Sequence, residues 1–200
     1  MDYKDANKDV YDKNAKTFED RTSDYLRDHI LFDAELFLAS LPGHTILDLG
    51  SGPGRDSKFF HDRGLRPLCL DISPEMVKLC REKGLEAMVG DLENLDFQEA
   101  SFDGVWAYTS LLHMPKRNLP LVLSQVKRVL KPKGVFYIGM KEGDHEGWLE
   151  SEKYGGVKRF FSLYSDEELR KYLHEHFSIL HSSRVPLGDA VFLNYLCRRD

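Results

Sequence analysis

Residues 46–60 read ILDLGSGPGRDSKFF, and this stretch decides the predicted fold. Its first four residues form a short, mainly apolar run that predicts a buried β-strand ending at a glycine-rich turn. A helix is predicted from Pro53, because proline at the first helical position gives up no hydrogen bond, with Phe59 and Phe60 on its inner side. A strand, a tight turn and a helix form half of a nucleotide-binding unit, in which backbone N–H groups and the helix N-terminus face the ligand.

The spacing of the glycines indicates which ligand such a unit binds. Dinucleotide-binding folds carry the pattern G-x-G-x-x-G, whose third glycine permits close packing of the helix on the strand. Here the glycines are Gly50, Gly52 and Gly54, and Arg55 occupies the position of that third glycine. Asp48 precedes the first glycine by two residues, where it would repel a pyrophosphate but hold a cation such as an amino-acid ammonium. This D-x-G-x-G-x-G pattern resembles the first motif of the class I S-adenosylmethionine-dependent methyltransferases, and a plain turn is the alternative.

Composition and charge limit the classes of function. The chain has 200 residues, 42% of them hydrophobic, which is enough to form one globular domain over 1–200. A net charge of −5 argues against a nucleic-acid partner, because nucleic-acid-binding domains are usually basic. No apolar run approaches the length of a membrane span, and the N-terminus is unlike a signal peptide, so no membrane partner is expected. Three dispersed cysteines favour a reducing compartment, and we expect a cytoplasmic protein that is monomeric or weakly dimeric.

Four segments follow one another in the predicted domain. Residues 1–42 form a helical lead-in or lid, whose first residues resemble an epitope tag but are treated as native, and 44–140 form the cofactor-binding core. Residues 141–164 carry aromatic residues among glycines, which suggests an insertion on the substrate side; an irregular packed excursion is the alternative. Residues 165–200 are predicted to form a helix and then a β-hairpin around the turn 186–189.

An acidic residue also follows the second predicted strand. Asp71 lies 21 residues beyond Gly50, close to the spacing of about 20 at which an acid meets the ribose hydroxyls of a bound nucleotide. A carboxylate suits this role, because its two oxygens accept hydrogen bonds from both hydroxyls at once. Ile72 would then lie against the face of the adenine. The alternative for Asp71 is a turn residue before the helix that Ser73 caps.

The resemblance to class I methyltransferases extends over 44–140 and implies both a fold and a cofactor. The implied fold is α/β, with a Rossmann-like, doubly wound sheet of seven strands that is mostly parallel and has an antiparallel last strand. The implied cofactor is S-adenosyl-L-methionine, which leaves as S-adenosyl-L-homocysteine. In this family an acid and the N–H after it reach the adenine, and Asp91 and Leu92 match that position. The predicted cofactor-binding residues are Tyr11, Asp48, Gly50, Ser51, Gly52, Asp71, Ile72, Asp91, Leu92 and Ala107.

The reacting end of the site is expected after the fourth strand. The family often has a leucine-leucine-histidine stretch there, and Leu111-Leu112-His113 matches it. His113 is the candidate general base, since histidine has an unperturbed pKa of about 6.5; a packing or positioning role is the alternative. Tyr11 belongs to a stretch, 11–18, that resembles the N-terminal lid of the family, with core packing as its alternative. The predicted substrate-binding residues are Tyr108, His113, Trp148, Arg159 and Tyr164.

The function predicted from these features is methyl transfer from S-adenosylmethionine to a small molecule. Alignment of the reactants and exclusion of water would supply most of the catalysis, with assistance from His113 where the acceptor arrives protonated. A methyltransferase acting on protein or RNA and a non-catalytic binding module for the cofactor are the alternatives. No metal site is predicted, because His174-Glu175-His176 lacks the spacing that places two ligands on one helical face.

Overall fold

The computed structural model describes residues 2–151 and 156–200, so that Tyr154, one of the aromatic residues of the predicted insertion, lies outside the described residues. The strands in these ranges are β1 (Thr45–Leu49), β2 (Arg66–Asp71), β3 (Glu86–Val89), β4 (Phe102–Tyr108), β5 (Leu130–Lys141), β6 (Glu146–Ser151), β7 (Val157–Ser162), β8 (Ser178–Leu187) and β9 (Ala190–Arg198). The helices are α1 (Tyr3–Thr22), α2 (Leu31–Ser40), α3 (Arg55–His61), α4 (Pro74–Glu82), α5 (Leu119–Val129) and α6 (Asp166–His174). A π-helical turn, Leu26–Ile30, precedes α2.

Seven strands form one sheet in the order β3-β2-β1-β4-β5-β9-β8. The first five of these are parallel, whereas β9 runs antiparallel to both β5 and β8. The predicted Rossmann-like sheet, mostly parallel with an antiparallel C-terminal hairpin, is therefore confirmed. Since the chain passes from β1 to β2 on one side and returns to β4 on the other, the ends of β1 and β4 flank a topological switch point. Ligands bind at such points in open α/β sheets.

Apolar side chains cover both faces of this sheet. On one face, the inward residues of α5 and α6 join the central strands in a large buried cluster. On the other face, Trp106 of β4 stacks on Tyr137 of β5 with ring centroids 3.9 Å apart. Phe37 of α2 and Phe60 of α3 pack edge-on against the same indole, each with a centroid distance of 5.1 Å. The strand ends that carry the predicted site therefore project from a rigid base.

The helix after β1 begins later than the sequence predicts. Its first residue is Arg55 rather than Pro53, because Gly54 has a left-handed conformation with φ of 79° and still belongs to the loop. Phe60 is fully buried as expected, whereas Phe59 is only half-buried. The loop between β1 and α3 is thus longer, and its backbone N–H groups are spread over more residues than a helix starting at Pro53 would allow.

Two elements lie outside the large sheet and cover its carboxyl edge, and we call them together the roof. They are α1 and the β6–β7 hairpin, which pairs antiparallel in a small sheet of its own. The hairpin falls within the segment for which the sequence predicts an insertion, and its strand β7 contacts α1. None of the described helices is both long and apolar enough to cross a membrane.

A buried carboxylate ties the N-terminal helices to the C-terminal strands. Asp33 of α2 accepts hydrogen bonds from Tyr137 Oη at 2.9 Å, Ser183 Oγ at 2.8 Å and Asn194 Nδ2 at 3.1 Å. A buried charge is tolerated only where such donors surround it. This network holds α2 against β5, β8 and β9, on the far side of the π-helical turn from α1.

Candidate active site

A cavity of about 120 Å³ lies where β1, β2 and β4 end, between these strand ends and the roof. The glycine-rich loop and the residues after β2 and β4 form one wall, which we call the sheet wall. The lining residues are Asn7, Tyr11, Phe18, Thr22, Asp48, Gly50, Ser51, Gly52, Pro53, Arg55, Asp56, Asp71, Ile72, Met76, Leu92, Tyr108, Thr109, Ser110 and His113. Of the predicted site residues, those that do not line this cavity are Asp91, Ala107, Trp148, Arg159 and Tyr164.

The glycine-rich loop is held close to the neighbouring strand ends. Gly50 has φ of 71°, and its N–H donates to the carbonyl of Leu70 at 2.7 Å. A Cβ at this position would lie 2.3 Å from the Cβ of Ser110, so both the conformation and the space require glycine. Gly52, with φ of 53°, donates its N–H to the carboxylate of Asp71 at 2.9 Å. The loop therefore presents backbone, not side chains, to the centre of the cavity.

Asp71 lies at the end of β2, beside this loop. Its Oδ1 accepts the N–H of Ser73 and its Oδ2 the N–H of Gly52, both at 2.9 Å. Burial raises the pKa of this carboxyl to about 6, against the lowering effect of these N–H groups. Each oxygen keeps a second lone pair, so the carboxylate can still accept from two hydroxyls of a ligand. Three apolar side chains line the cavity next to it: Ile72, Met76 and Leu92.

Asp48 lies deeper, beneath the glycine-rich loop. It is buried, and Ser57 Oγ donates to its Oδ2 at 2.7 Å. Burial, with Cys69 and Asp56 nearby, raises its pKa well above the ordinary value of an aspartate. A carboxyl in this state regains its charge when a cation is placed beside it. The position is thus suited to a ligand that carries an ammonium group.

Arg55 supplies the positive charge of the cavity. In the sequence it is noticeable only because it occupies the position of the third glycine of the dinucleotide-binding pattern. Its guanidinium forms two hydrogen bonds with Asp56, at 2.5 and 2.9 Å, and lies 5.1 Å from the ring centroid of Tyr25. Asp56 also accepts from the indole N–H of Trp106 at 2.9 Å, so the pair is anchored in the core. Tyr108 Oη lies 3.1 Å from Tyr25 Oη at the same end of the cavity. Among the described lining residues, Arg55 is the only lysine or arginine.

The roof is held to the sheet wall by side chains of α1. Asn7 is buried; its Oδ1 accepts the N–H of Phe160 at 2.8 Å, and its Nδ2 donates to the carbonyls of Phe160 and His113 at 3.3 and 3.2 Å. Tyr11, one helical turn later, has its hydroxyl 2.7 Å from His113 Nε2. Arg159 of β7 donates to the same hydroxyl at 2.8 Å. These contacts join α1, β7 and the segment after β4 into one structure.

His113 lines the cavity as predicted, with both ring nitrogens engaged. Its Nδ1 lies 3.0 Å from the carbonyl oxygen of Phe160, and its Nε2 faces Tyr11. Burial lowers its pKa to about 3; the Phe160 carbonyl raises the pKa in part, and the nearby charge of Arg159 lowers it by a smaller amount than the carbonyl raises it. In this arrangement the imidazole is neutral near pH 7 and has no free lone pair with which to take up a proton. The predicted role as a general base stays a prediction, for an imidazole whose two nitrogens are already engaged.

Two of the predicted cofactor-binding residues do not line the cavity. Asp91 accepts the N–H of Glu93 at 2.9 Å and pairs with Lys4 of α1 at 2.6 Å, so it closes a turn and fastens the roof. Ala107 is fully buried in the apolar cluster beneath β4, because side chains alternate along a strand and its neighbour Tyr108 takes the opposite face. Of the predicted pair Asp91 and Leu92, it is Leu92 that lines the cavity.

Three predicted substrate-binding residues also lie outside the cavity. Tyr164 is fully buried, with the Lys116 ammonium 4.8 Å from its ring centroid. Trp148 is 43% exposed and packs edge-on against Phe160 on the outer side of the hairpin. Arg159 does not line the cavity but donates a hydrogen bond to Tyr11, which does. This segment bears on the site through Phe160 and Phe161, which contact α1 and His113.

Several lining residues were not identified from the sequence: Asn7, Phe18, Thr22, Pro53, Arg55, Asp56, Met76, Thr109 and Ser110. Asn7 precedes Tyr11 by four positions and shares its helical face, a spacing that could have marked it. Thr109 has φ of 56°, which is unusual for a β-branched residue and typical of strained functional segments. No grouping of three or more metal-binding side chains occurs in the described residues.

A family profile and several curated proteins match parts of this chain. A family profile described as a methyltransferase domain matches residues 46–134. A malonyl-[acyl-carrier protein] O-methyltransferase from Serratia marcescens is 32% identical over 99 residues, covering 48% of this chain and 38% of that protein. A tRNA (carboxymethyluridine(34)-5-O)-methyltransferase from Arabidopsis thaliana is 35% identical over 116 residues, covering 55% of this chain and 27% of that protein. The chain thus spans less than half the length of these two relatives.

A solved structure is similar over almost the whole chain. It is that of the Burkholderia thailandensis 1,6-didemethyltoxoflavin-N1-methyltransferase with bound 1,6-didemethyltoxoflavin and S-adenosylhomocysteine. The two chains are 25% identical with a TM-score of 0.71, and the match covers 95% of this chain and 87% of the other. The sheet order, the glycine-rich loop and the profile match over residues 46–134 together support a class I S-adenosylmethionine-dependent methyltransferase domain.

Proposed function

We propose that this protein transfers the methyl group of S-adenosylmethionine to a small-molecule acceptor. The observation that carries the proposal is one cavity lined both by Asp71 and Ile72, which we assign to the nucleoside end, and by Tyr108 and His113, which we assign to the reacting end. The glycine-rich loop lies between the two ends, so one extended ligand can contact all three parts. The match to the methyltransferase profile supports the choice of cofactor.

The residues present fit the chemistry of this cofactor. Asp71 would accept from the ribose hydroxyls, and the apolar side chains beside it would pack on the adenine. Asp48 is placed to balance the ammonium of the methionyl part, and Arg55 is the cation available for its carboxylate. Gly50 leaves no room for a side chain where the backbone must approach the ligand. When bound, the cofactor supplies an activated methyl group on a positively charged sulfur.

The roof would contribute alignment and exclusion of water. Lys4 pairs with Asp91 at 2.6 Å, and Ser73 Oγ donates to Asp12 of α1 at 2.5 Å, so α1 is fastened at both edges of the nucleoside end. Asn7 and Tyr11 fasten it at the reacting end. A site closed in this way holds two reactants in line and keeps water from the transferring methyl group.

A small acceptor is favoured by the enclosure of the reacting end. Asn7, Tyr11 and His113 close the cavity on the roof side, so a small ligand fits more readily than a polymer. The structural relative is named as a 1,6-didemethyltoxoflavin-N1-methyltransferase, has 1,6-didemethyltoxoflavin bound, and matches 95% of this chain. The relatives named for a carrier-protein substrate and for tRNA match only about half of it. These two make a protein-linked or RNA acceptor the second candidate.

Calorimetric titration with S-adenosylmethionine and with S-adenosylhomocysteine tests the proposal. We expect micromolar binding of both ligands, weakened at least tenfold in Asp71→Ala, because the ribose loses its acceptor. Asp62→Ala is the matched control, since its exposed carboxylate pairs with Lys58 and lies outside both the cavity and the roof, and its affinity should stay within about threefold.

A second experiment identifies the class of acceptor. The enzyme and a radiolabelled methyl donor are incubated separately with a pool of small metabolites, with total RNA and with unfolded protein. Label recovered in the small-molecule fraction supports the proposal. Label confined to RNA or protein favours the second candidate, and failure of both cofactor forms to bind overturns methyl transfer altogether.

A further inference from the structure

The hydrogen bonds of His113 define which of its nitrogens carries the proton. The carbonyl of Phe160 can only accept, so Nδ1, 3.0 Å away, must be the donor. In a neutral imidazole the other nitrogen is then an acceptor, and the Tyr11 hydroxyl, 2.7 Å from Nε2, donates to it. Arg159 donates to the same hydroxyl oxygen at 2.8 Å. The direction of donation therefore runs from Arg159 through Tyr11 to His113 and on to Phe160.

Each of the carboxylates that line the cavity already accepts a hydrogen bond from another group. Asp71 is engaged by two backbone N–H groups at the nucleoside end. Asp56 is held between the guanidinium of Arg55 and the indole of Trp106. Asp48 lies below the glycine-rich loop and accepts from Ser57. The ring nitrogens of His113 face Phe160 and Tyr11, so none of these three carboxylates is hydrogen-bonded to the imidazole.

We propose that His113 is a positioning residue that orients Tyr11 and the β7 backbone, and that the acceptor brings an atom whose lone pair is already free at neutral pH. This inference rests on the proposed methyl transfer. The acceptor chemistry that fits is a carboxylate oxygen or an aromatic ring nitrogen. The acceptor lone pair forms the new bond to carbon, and the carbon–sulfur bond breaks with its electrons left on sulfur. With a carboxylate the two charges cancel, giving a neutral ester and a thioether, and no proton has to be removed.

Amines and alcohols fit less well, because each must lose a proton to a base. Near neutral pH an alkyl amine is an ammonium ion, and an alcohol still carries its hydroxyl proton. An alkyl ammonium has no free lone pair until a proton leaves it. The imidazole that could remove this proton donates through one nitrogen and is covered by Tyr11 at the other. Burial also keeps the pKa of His113 far below that of such acceptors.

Long-range ¹H–¹⁵N spectra of protein labelled at histidine test the protonation state without any acceptor. We expect His113 to be the Nδ1–H tautomer and to stay neutral from pH 5.5 to 8. Tyr11→Phe should move the Nε2 resonance toward that of a ring nitrogen without a hydrogen bond, with the tautomer retained. Titration of His113 within this range, or an Nε2–H tautomer, would overturn the positioning role.

A pair of substitutions separates positioning from proton transfer. His113→Gln keeps one amide N–H for Phe160 and one oxygen for Tyr11 but cannot act as a base, whereas His113→Leu loses both bonds. We expect Gln to keep kcat/KM within about threefold and Leu to lose about tenfold or more, mainly through the acceptor KM. If Gln is as inactive as Leu while still binding S-adenosylhomocysteine, His113 is the base and the proposal fails.

His176→Gln is the matched control for these variants. Its Nδ1 also lies near a carbonyl, that of Tyr172 at 3.1 Å, and its Nε2 near a hydroxyl, that of Ser124 at 3.0 Å, but it lies outside the cavity. We expect no change in binding or turnover for this variant.

A panel of acceptors tests the chemical class. It contains carboxylic acids, aromatic nitrogen heterocycles, primary amines and alcohols, and the products are identified by mass. Methylation of the first two classes, with kcat/KM constant from pH 6 to 9, is the expected result. Methylation confined to amines and alcohols, or none of the first two classes, overturns the acceptor assignment. Loss of cofactor binding in calorimetry would instead overturn the proposed function and leave the tautomer result standing.

Discussion

The two walls of the cavity are built in different ways. The sheet wall uses backbone and short side chains that lie near one another in the sequence, such as the loop of Gly50 and Gly52. The roof depends on contacts between distant segments: Asn7 and Phe160, for example, are 153 residues apart. The first wall is set by local conformation and a rigid sheet, whereas the second exists only once the whole chain has folded. Changes to the sheet wall should therefore abolish binding, and changes to the roof should weaken it in steps.

The largest effect is expected from Gly50→Ala. The new Cβ would meet Ser110 at 2.3 Å, and alanine disfavours a φ of 71°, so we expect about 3 kcal/mol loss of stability and no measurable cofactor binding. Gly64→Ala is the control, because its φ is 83° but nothing lies within 4 Å, and strain alone should cost about 1 kcal/mol. Urea denaturation and calorimetry measure both variants. Equal losses for the two glycines would show that the loop is not tightly constrained.

The next effect concerns pH and Asp71. Burial raises the pKa of Asp71 from 3.8 to about 6 in the free protein, so its ionised form destabilises the free fold, and this cost is relieved progressively as the pH falls from about 6 to 3.8. Binding to ribose hydroxyls needs the ionised form. We expect the affinity for S-adenosylhomocysteine to fall about tenfold between pH 7 and pH 5.

The control for this pH dependence is Asp71→Asn, which cannot ionise. Its affinity should be lower at pH 7 and nearly independent of pH, and its stability should lack the rise between pH 7 and pH 5. A wild-type affinity that does not change over this range would contradict the assignment of Asp71 to the ligand. Calorimetry in buffers of matched ionic strength gives both curves.

A smaller effect is expected from Asn7→Ala in the roof. The change leaves the N–H of Phe160 without its partner and removes two further bonds, which should cost about 2 kcal/mol of stability. Since the sheet wall stays intact, cofactor affinity should fall only about fivefold. Asn14→Ala is the control on the same helix, because Asn14 bonds only to the carbonyl of Val10. A complete loss of binding in Asn7→Ala would mean that the roof, not the sheet wall, forms the main binding surface.

The smallest effect is expected from Trp148→Ala. The indole is 43% exposed and lies outside the cavity, so cofactor affinity should be unchanged and stability should fall by less than about 1 kcal/mol. Thermal unfolding and calorimetry measure the two quantities. A tenfold change in the KM of an acceptor would show that the hairpin reaches further over the site than its packing on Phe160 indicates.

The sequence predicted the sheet wall well because its signals are local. The fold class, the family and the positions of Gly50 and Asp71 follow from strand ends, glycines and their spacing. Asp91 carried the same kind of signal, but a lysine 87 residues away takes its carboxylate. Ala107 was predicted to bind the cofactor but lies in the buried apolar cluster. The face of the sheet on which its side chain lies depends on the register of β4, and composition does not reveal the register.

The roof was predicted only in outline because its contacts cross the whole chain. Tyr11 was identified from a motif, whereas Asn7 gave no chemical signal of its own. The aromatic residues of the hairpin indicated a wall of the site, but Tyr164 is buried away from it and Trp148 faces outward. A single sequence does not reveal which face of such a hairpin meets a helix that lies some 150 residues earlier.

The fastening of α1 at both ends of the cavity has a kinetic consequence. Ion pairs and hydrogen bonds from Lys4, Asn7, Tyr11 and Asp12 must break before a ligand as long as the proposed cofactor can enter or leave. None of these bonds needs to break for the chemical step. If the proposed methyl transfer holds, we expect opening of α1, with α2 anchored through Asp33, to limit how fast the cofactor is exchanged. We then expect release of the spent cofactor, rather than methyl transfer, to be the slow step.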